Sequence, residues 1–288
     1  MTKTISIYLM GGLGNQLFQI FTCISYGLEH NYNIIFPYND ILTTGTIRNT
    51  YWNSFLLHLK DFTVFNKSFN ETNDSLYNFP KYNEKSFKYT TIPSKLPDKI
   101  MLHGYYQSYK YFDKYINFIT DKIKLDMMKE SIINDYKELF QNTITISMHF
   151  RFGDYINIQN VHPLLTINYY YNALCNIIMS KKDIKINVLY FCQDIDYNDV
   201  MKIINKLIPR FTNINFIKAS DSLEDWEQML LMSNCNHNII ANSTFSWWAA
   251  YLNTNDNKIV CYPNIWFGPS IKHDTSDLFP KTWQKIYW

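Results

Sequence analysis

Residues Thr143 to Tyr155 read TITISMHFRFGDY, an alternation of apolar and small polar side chains that runs out into His149, Arg151 and Asp154. The period-two pattern over 143–150 predicts a strand, and the glycine at 153 marks its end. Titratable groups clustered just beyond a strand are either a solvated loop or the floor of a site, and the surrounding chain decides between them. Downstream the rhythm is regular. Strands are expected over 186–191, near 214–217, over 237–241 and over 258–262, alternating with helices over 167–179, 199–208, 223–233 and 245–252. Such alternation predicts βαβ units around a parallel sheet, and ligands of parallel sheets bind beyond the carboxyl ends of the strands. Two of these ends carry chemistry: His149, Arg151 and Asp154 after one strand, and Asn242-Ser243-Thr244-Phe245-Ser246 after another.

Upstream, 5–10 alternates as a strand, Gly11-Gly12-Leu13-Gly14 breaks it, and Leu17, Phe18, Phe21, Ile24 and Leu28 recur at helical spacing. From 39 to 97 few periodic runs survive among Asn, Tyr, Lys and Pro, as expected of long loops and short helices. A strand is expected over 100–105 and a polar helical stretch over 111–139. The change of rhythm near Gln141 sets the expected boundaries: 1–140, 141–265, and a closing segment 266–288.

A chain of 288 residues suits two medium domains. Its formal net charge of +2 excludes a dedicated nucleic-acid binder with a strongly basic face, so an anionic ligand must be met locally. Aromatic residues reach 17%, which matters because aromatic faces stack on sugar rings as readily as they fill cores. The five cysteines are scattered and form no CxxC pair, which predicts free thiols rather than a disulfide framework or a zinc site. The start has no long apolar region before a small-residue cleavage pattern, and no apolar run approaches the ~18 residues that span a bilayer. A cytoplasmic protein is expected, with room for one that works peripherally at a membrane. The sequons beginning at Asn66, Asn70 and Asn73 then reflect Asn-rich composition rather than glycosylation.

Each candidate has an ordinary and a functional reading. Arg151 presents a planar fork of donors suited to two phosphate oxygens, or it is a surface arginine paired with Asp154. His149 is a satisfied core histidine or a group that orients or moves a proton. Ser243, Thr244 and Ser246 cap a helix, and they also stand where free N–H groups and the positive dipole end receive an anion. Three hydroxyls and Asn242 within five residues favour the anion site. Gly11-Gly12-Leu13-Gly14-Asn15-Gln16 fails the dinucleotide fingerprint because Leu17 stands in the last glycine position, and no Walker loop is present. What remains is a turn that allows close backbone approach at Gly12 and Gly14, with Asn15 and Gln16 beside it. Asp194-Ile195-Asp196 has the DxD form that holds a divalent ion on a diphosphate, and it equally opens a helix before Val200.

Four segments together, Gly11-Gly12-Leu13-Gly14-Asn15-Gln16-Leu17-Phe18-Gln19, Gly104-Tyr105-Tyr106-Gln107-Ser108, His149-Phe150-Arg151-Phe152-Gly153-Asp154-Tyr155 and Asn242-Ser243-Thr244-Phe245-Ser246-Trp247-Trp248, resemble glycosyltransferase family 11, the α-1,2-fucosyltransferases. The likeness spans nearly the whole chain. It implies an α/β fold of GT-B type, two Rossmann-like domains with a cleft between them, the closing segment crossing back to the first. It further implies GDP-fucose as donor, a galactose-containing glycan as acceptor, inversion at the anomeric carbon, and no cofactor or metal. Catalytic roles fall on Arg151, His149 and Asp154. Donor binding falls on Gly12, Gly14, Asn15, Gln16, Arg151, Asn242, Ser243, Thr244, Phe245 and Ser246. Two departures stand out: Phe152 replaces the second Arg of His-x-Arg-Arg-x-Asp, and Phe191-Cys192-Gln193-Asp194 replaces Phe-Ser-Asp-Asp. Two alternatives stay open: a transferase that uses Asp194 and Asp196 for a metal, or takes another nucleotide sugar, and a glycan-binding protein without catalysis.

Overall fold

Thr4–Ile7 (β1) is buried along its whole length, as a central strand of a parallel sheet must be when both faces are covered. It opens one of the two compact units into which the chain packs, Met1–Asp126 with His273–Pro280, and Met127–Lys272 with Lys281–Trp288. The computed structural model describes residues 3–179 and 185–288.

In the first unit, β2 (Asn33–Ile34), an antiparallel pair β3 (Ile41–Leu42) and β4 (Arg48–Asn49), β5 (Lys81–Asn83) and β6 (Lys99–His103) follow β1. The parallel sheet runs β2-β1-β6-β5. The expected helix is Leu13–His30, and its apolar residues Leu17, Phe18, Phe21 and Ile24 are all buried. It lies close to the sheet at Gly27, where an added Cβ would stand 2.4 Å from Ile34 Cγ1.

In the second unit, β7 (Ile144–His149), β8 (Ile186–Phe191), β9 (Ile214–Lys218), β10 (His237–Ile239), β11 (Val260–Pro263) and β12 (Gln284–Ile286) form one sheet in the order β12-β11-β10-β7-β8-β9. Every pairing is parallel. Counted within the unit, the order is 3-2-1-4-5-6 read from β9, the doubly wound arrangement of a Rossmann fold. Ile146 and Met148 of the first strand, and Phe150 just beyond it, enter a core with Tyr169, Tyr170 and Leu174 from the helix Ile167–Ile178.

Two expectations about the middle of the chain change. The polar stretch 111–139 is broken into helices Ile116–Lys122, Leu125–Asp135 and Lys137–Phe140, with Lys124 left-handed at φ 60° between the first two. The first unit ends at Asp126 rather than near Gln141. The reason is a buried lysine: Lys129 donates from Nζ to the Leu252 carbonyl at 3.0 Å, while its own carbonyl accepts from Asn234 Nδ2 at 3.1 Å. A polar sequence therefore belongs to the second unit. Of the closing segment, His273–Pro280 lies on the first unit and Gln284–Ile286 is the sixth strand of the second, a strand too short to be read from periodicity. Among the described residues no helix is long and apolar enough to cross a membrane. The five cysteines are free.

Gly27→Val is expected to destabilise the protein by ~1–3 kcal/mol through overpacking against β2. Urea unfolding of the purified variant measures this, and an unchanged midpoint would contradict the close contact.

Candidate active site at the reversal of the second sheet

The first and fourth strands of the second sheet, β7 and β10, are hydrogen-bonded neighbours with Asn238 opposite Ser147. Successive connections leave them towards opposite edges of the sheet, so a crevice opens beyond their carboxyl ends. His149 is the last residue of β7, and Asn242 to Ser246 follow β10. The structure thus brings together the two constellations picked out in the sequence.

The helix Thr244–Tyr251 begins here, with Ser243 as its extended N-cap. Ser243 Oγ accepts from the Phe245 N–H at 3.4 Å. Buried amides fix the helix against the sheet: Asn238 Nδ2 donates to Ser147 Oγ at 2.8 Å, and Asn253 Nδ2 donates to Asn238 Oδ1 at 2.8 Å. Two lysines serve its far end. Lys129 Nζ donates to the Leu252 carbonyl and Lys258 Nζ to the Ala250 carbonyl at 2.9 Å, so cations cover the negative pole of the dipole. Burial and the neighbouring Lys129 bring the Lys258 ammonium down to about 8. The positive pole points into the crevice with its hydroxyls.

His149 is only 7% exposed, and its Nδ1 shares a hydrogen bond with Ser246 Oγ at 2.9 Å. Burial, reinforced by the Arg151 charge, depresses its pKa to about 3. A neutral imidazole of so little basicity orients Ser246 better than it takes up a proton. Arg151 pairs with Asp154 Oδ1 at 2.5 Å, and its guanidinium carbon lies 5.1 Å from the centroid of the Tyr155 ring. The surface pair envisaged from the sequence is therefore present, but Arg151 is about a fifth exposed while Asp154 is about half exposed. Phe152 points into the core against Phe150, leaving Arg151 as the one guanidinium of the motif.

Asn242 is buried, and its Nδ2 donates to the Pro163 carbonyl at 2.9 Å and the Trp266 carbonyl at 3.3 Å. Its role here is to tie three segments together. Asp196 accepts from the Gly153 N–H at 2.9 Å on both oxygens, and Asp194 pairs with Lys218 Nζ at 3.0 Å. The Lys218 hydrogen bond holds the Asp194 carboxyl below its usual range. Among the described residues no group of three His, Cys, Asp or Glu is placed to hold a metal ion.

In the first unit, the turn at Gly11, left-handed at φ 76°, leads into the helix that Gly12 caps. An added Cβ on Gly12 would meet nothing within 4 Å, so the backbone there is open to close approach. Gly14 is buried within the helix. Gln16, expected at the donor site, is fully buried, and its Nε2 donates to the Gly11 carbonyl at 2.9 Å and the Asn49 carbonyl at 2.8 Å, so its amide nitrogen braces the turn. Asn15 Oδ1 accepts from Gln107 Nε2 at 3.0 Å, and Gln19 Nε2 donates to the Gly104 carbonyl at 3.2 Å. The motifs at 11–19 and 104–108 are therefore one cluster beyond the carboxyl ends of β1 and β6.

Two residues carry no signal in the sequence, and a third acts otherwise than its pattern suggests. Glu84 accepts from the Tyr105 and Tyr106 N–H groups at 2.8 and 3.0 Å, and burial raises its pKa; it lies in the aperiodic stretch, where no pattern marks it. Asp196 has the pattern of a metal ligand or helix opener, whereas in the structure it holds the Gly153 N–H. His162 stacks on Tyr155, with ring centroids 4.5 Å apart at 12°, and carries no local signal beyond the proline that follows it.

A parallel sheet of this order, with a helix start and a strand end meeting at its reversal, is a doubly wound α/β unit of the Rossmann kind. The family model described as Glycosyl transferase family 11 matches residues 2–287, and the chain belongs to that family of glycosyltransferases. It is 28% identical to an α-1,2-colitosyltransferase of Escherichia coli over 96% of this chain and 97% of that protein. It is 22% identical to a galactoside 2-α-L-fucosyltransferase of Caenorhabditis elegans, over 98% of this chain and 79% of that one. Among solved structures, Arabidopsis thaliana FUT1 in complex with GDP has a TM-score of 0.50 at 13% identity, covering 90% of this chain and 70% of that chain. The fold is of GT-B type.

The unfolded His149 takes up a proton below its ordinary pKa near 6.5, whereas the folded one stays neutral down to about 3. Its contribution to stability is therefore intact above that ordinary value and is lost as pH falls towards 3, by up to ~3 kcal/mol at pH 4. His149→Gln removes this dependence. The stability gap between wild type and variant, measured by urea unfolding, is expected to narrow from pH 7 to pH 4; a constant gap would show that His149 titrates normally.

Proposed function

We propose that the chain transfers fucose from GDP-fucose to a galactoside hydroxyl, inverting the anomeric carbon, forming an α-1,2 linkage and requiring no metal ion. The observation that carries this reading is the meeting of the strand end that leads to Arg151 with the helix start across the reversal of the second sheet, through His149 on Ser246 and Tyr155 on the Asn242 carbonyl. Breaking the bond between the sugar and the diphosphate leaves its electron pair on GDP, and positive charge develops on the ring. A fixed guanidinium and oriented N–H and O–H donors stabilise the departing charge most where it forms. The acceptor oxygen attacks from the opposite face. Its proton leaves late, once bonding to the ring has made it acidic, so a weak base suffices.

Several observations support the finer terms. The family relatives include a galactoside 2-α-L-fucosyltransferase and an α-1,2-colitosyltransferase, and the FUT1 structure holds GDP. Metal independence is supported by the local commitments of the two DxD carboxylates: Asp196 holds the Gly153 N–H and Asp194 holds Lys218. On the first unit, Gly12 and Asn15 are the residues proposed for the donor and acceptor rim. A second reading follows from the colitosyltransferase: colitose is fucose without its 3-hydroxyl, so the donor of this chain is either fucose or that deoxy analogue.

Incubation with GDP-fucose and lactose in excess EDTA, with products read by mass spectrometry, is expected to give a fucosylated product. Activity that appears only after a divalent ion is restored would refute the metal-free reading, and product only from the 3-deoxy donor would select the second. Arg151→Ala is expected to lower transfer by at least ~100-fold, the scale of losing one electrostatic stabiliser. Near-normal turnover by this variant would remove Arg151 from the role given to it.

A further inference from the structure

Arg151 sits on a short loop, and nothing in its ion pair with the half-exposed Asp154 would by itself hold a guanidinium in one place. The adjacent ring of Tyr155 gives it a second contact, since a planar guanidinium packs favourably on an aromatic face. Tyr155 in turn is held twice: its hydroxyl donates to the Asn242 carbonyl at 3.2 Å, and its ring stacks almost parallel on His162.

His162 belongs to a segment with its own lock. The Gly268 N–H donates to the Val161 carbonyl at 2.8 Å, and Ser270 N–H donates to the Asn160 carbonyl at 2.9 Å. A Cβ on Gly268 would stand 2.4 Å from the Asn160 carbonyl oxygen, so the two backbones meet closer than any side chain permits. Phe267 lies 5.7 Å from the His162 ring, ring centroid to ring centroid. Asn242 closes the circuit through the Pro163 and Trp266 carbonyls. Every tie runs between the loop after β7, the turn around Gly268 and the end of β10.

We propose that His162 and the Gly268 turn position Arg151 through the Tyr155 ring, and that this chain of contacts sets the affinity of the site for a nucleoside diphosphate. Tyr155 and His162 are thus positioning residues rather than reacting groups. The inference rests on the reading that Arg151 holds the donor diphosphate, and it adds what keeps that hand in place. A single arginine in the motif makes such support more consequential, because no second guanidinium stands behind it.

A double-mutant cycle on GDP binding, measured by calorimetry on the full chain, tests the proposal. Tyr155→Leu and His162→Leu are each expected to weaken GDP binding by ~5- to 30-fold, the range of one cation–aromatic contact. Tyr155→Phe, which keeps the ring but loses its bond to the Asn242 carbonyl, should weaken binding less than Tyr155→Leu does. In an Arg151→Ala background the leucine substitutions should cost nothing further, which a general loss of folding would not produce. Losses that add fully to that of Arg151→Ala, or leucine variants with wild-type affinity beside a weakened Arg151→Ala, overturn the positioning role. GDP binding unchanged in Arg151→Ala overturns the underlying reading, and the inference with it.

Discussion

The second unit depends on the reversal of winding between β7 and β10. Two strands that hydrogen-bond along their length, yet whose connections turn to opposite edges of the sheet, leave a gap at their carboxyl ends that no helix covers. Side chains at these ends need not fill a core. Arg151, Ser243 and Thr244 keep part of their surface exposed there, so a polar group costs less desolvation, while His149 and Ser246 are buried and satisfy each other. The same residues two turns deeper would be buried charges without partners.

The electrostatics follow from this placement. The helix Thr244–Tyr251 is only eight residues long, yet both poles are handled differently: lysine ammonium groups cover the carbonyls at its end, while hydroxyls and the imidazole of His149 surround its start. Because His149 is neutral, the groups that touch the helix start are dipoles fixed by packing. Fixed dipoles need not reorganise when charge moves, which is the condition for stabilising a departing diphosphate. Buried asparagines carry that rigidity from sheet to helix through Ser147, Asn238 and Asn253.

Much of this was legible in the residues themselves. The alternation after Thr143, the glycine turn at 11–14 and the hydroxyl run after Asn242 each reflect local physics, and the elements they predict are present. What escaped prediction depended on contacts distant in sequence. Gln16 reads as a polar handle, but no local pattern shows that the carbonyls of Gly11 and Asn49 hold its amide nitrogen. Lys129 reads as surface charge, although its stem is buried and its ammonium caps another helix. Tyr155 and His162 form a stack through loops with no periodicity, and β12 is three residues long. Phe152 could be seen to depart from the family motif, but only the packing shows that its side chain joins the core.

The course of the chain after residue 272 bears on how the protein is made. Residues His273–Pro280 complete the first unit, which otherwise ends at Asp126, and Gln284–Ile286 supply the last strand of the second. Ser108, buried in the first unit, donates to the Asp277 carbonyl at 2.6 Å. During synthesis the first unit must therefore wait, with that donor and the surface under the strap uncovered, until roughly the whole second unit has been translated. Domains commonly fold as they emerge. Here each unit lacks a piece until the end of the chain has been made, His273–Pro280 for the first and Gln284–Ile286 for the second, and the interval before the strap docks leaves the first unit open to misassembly.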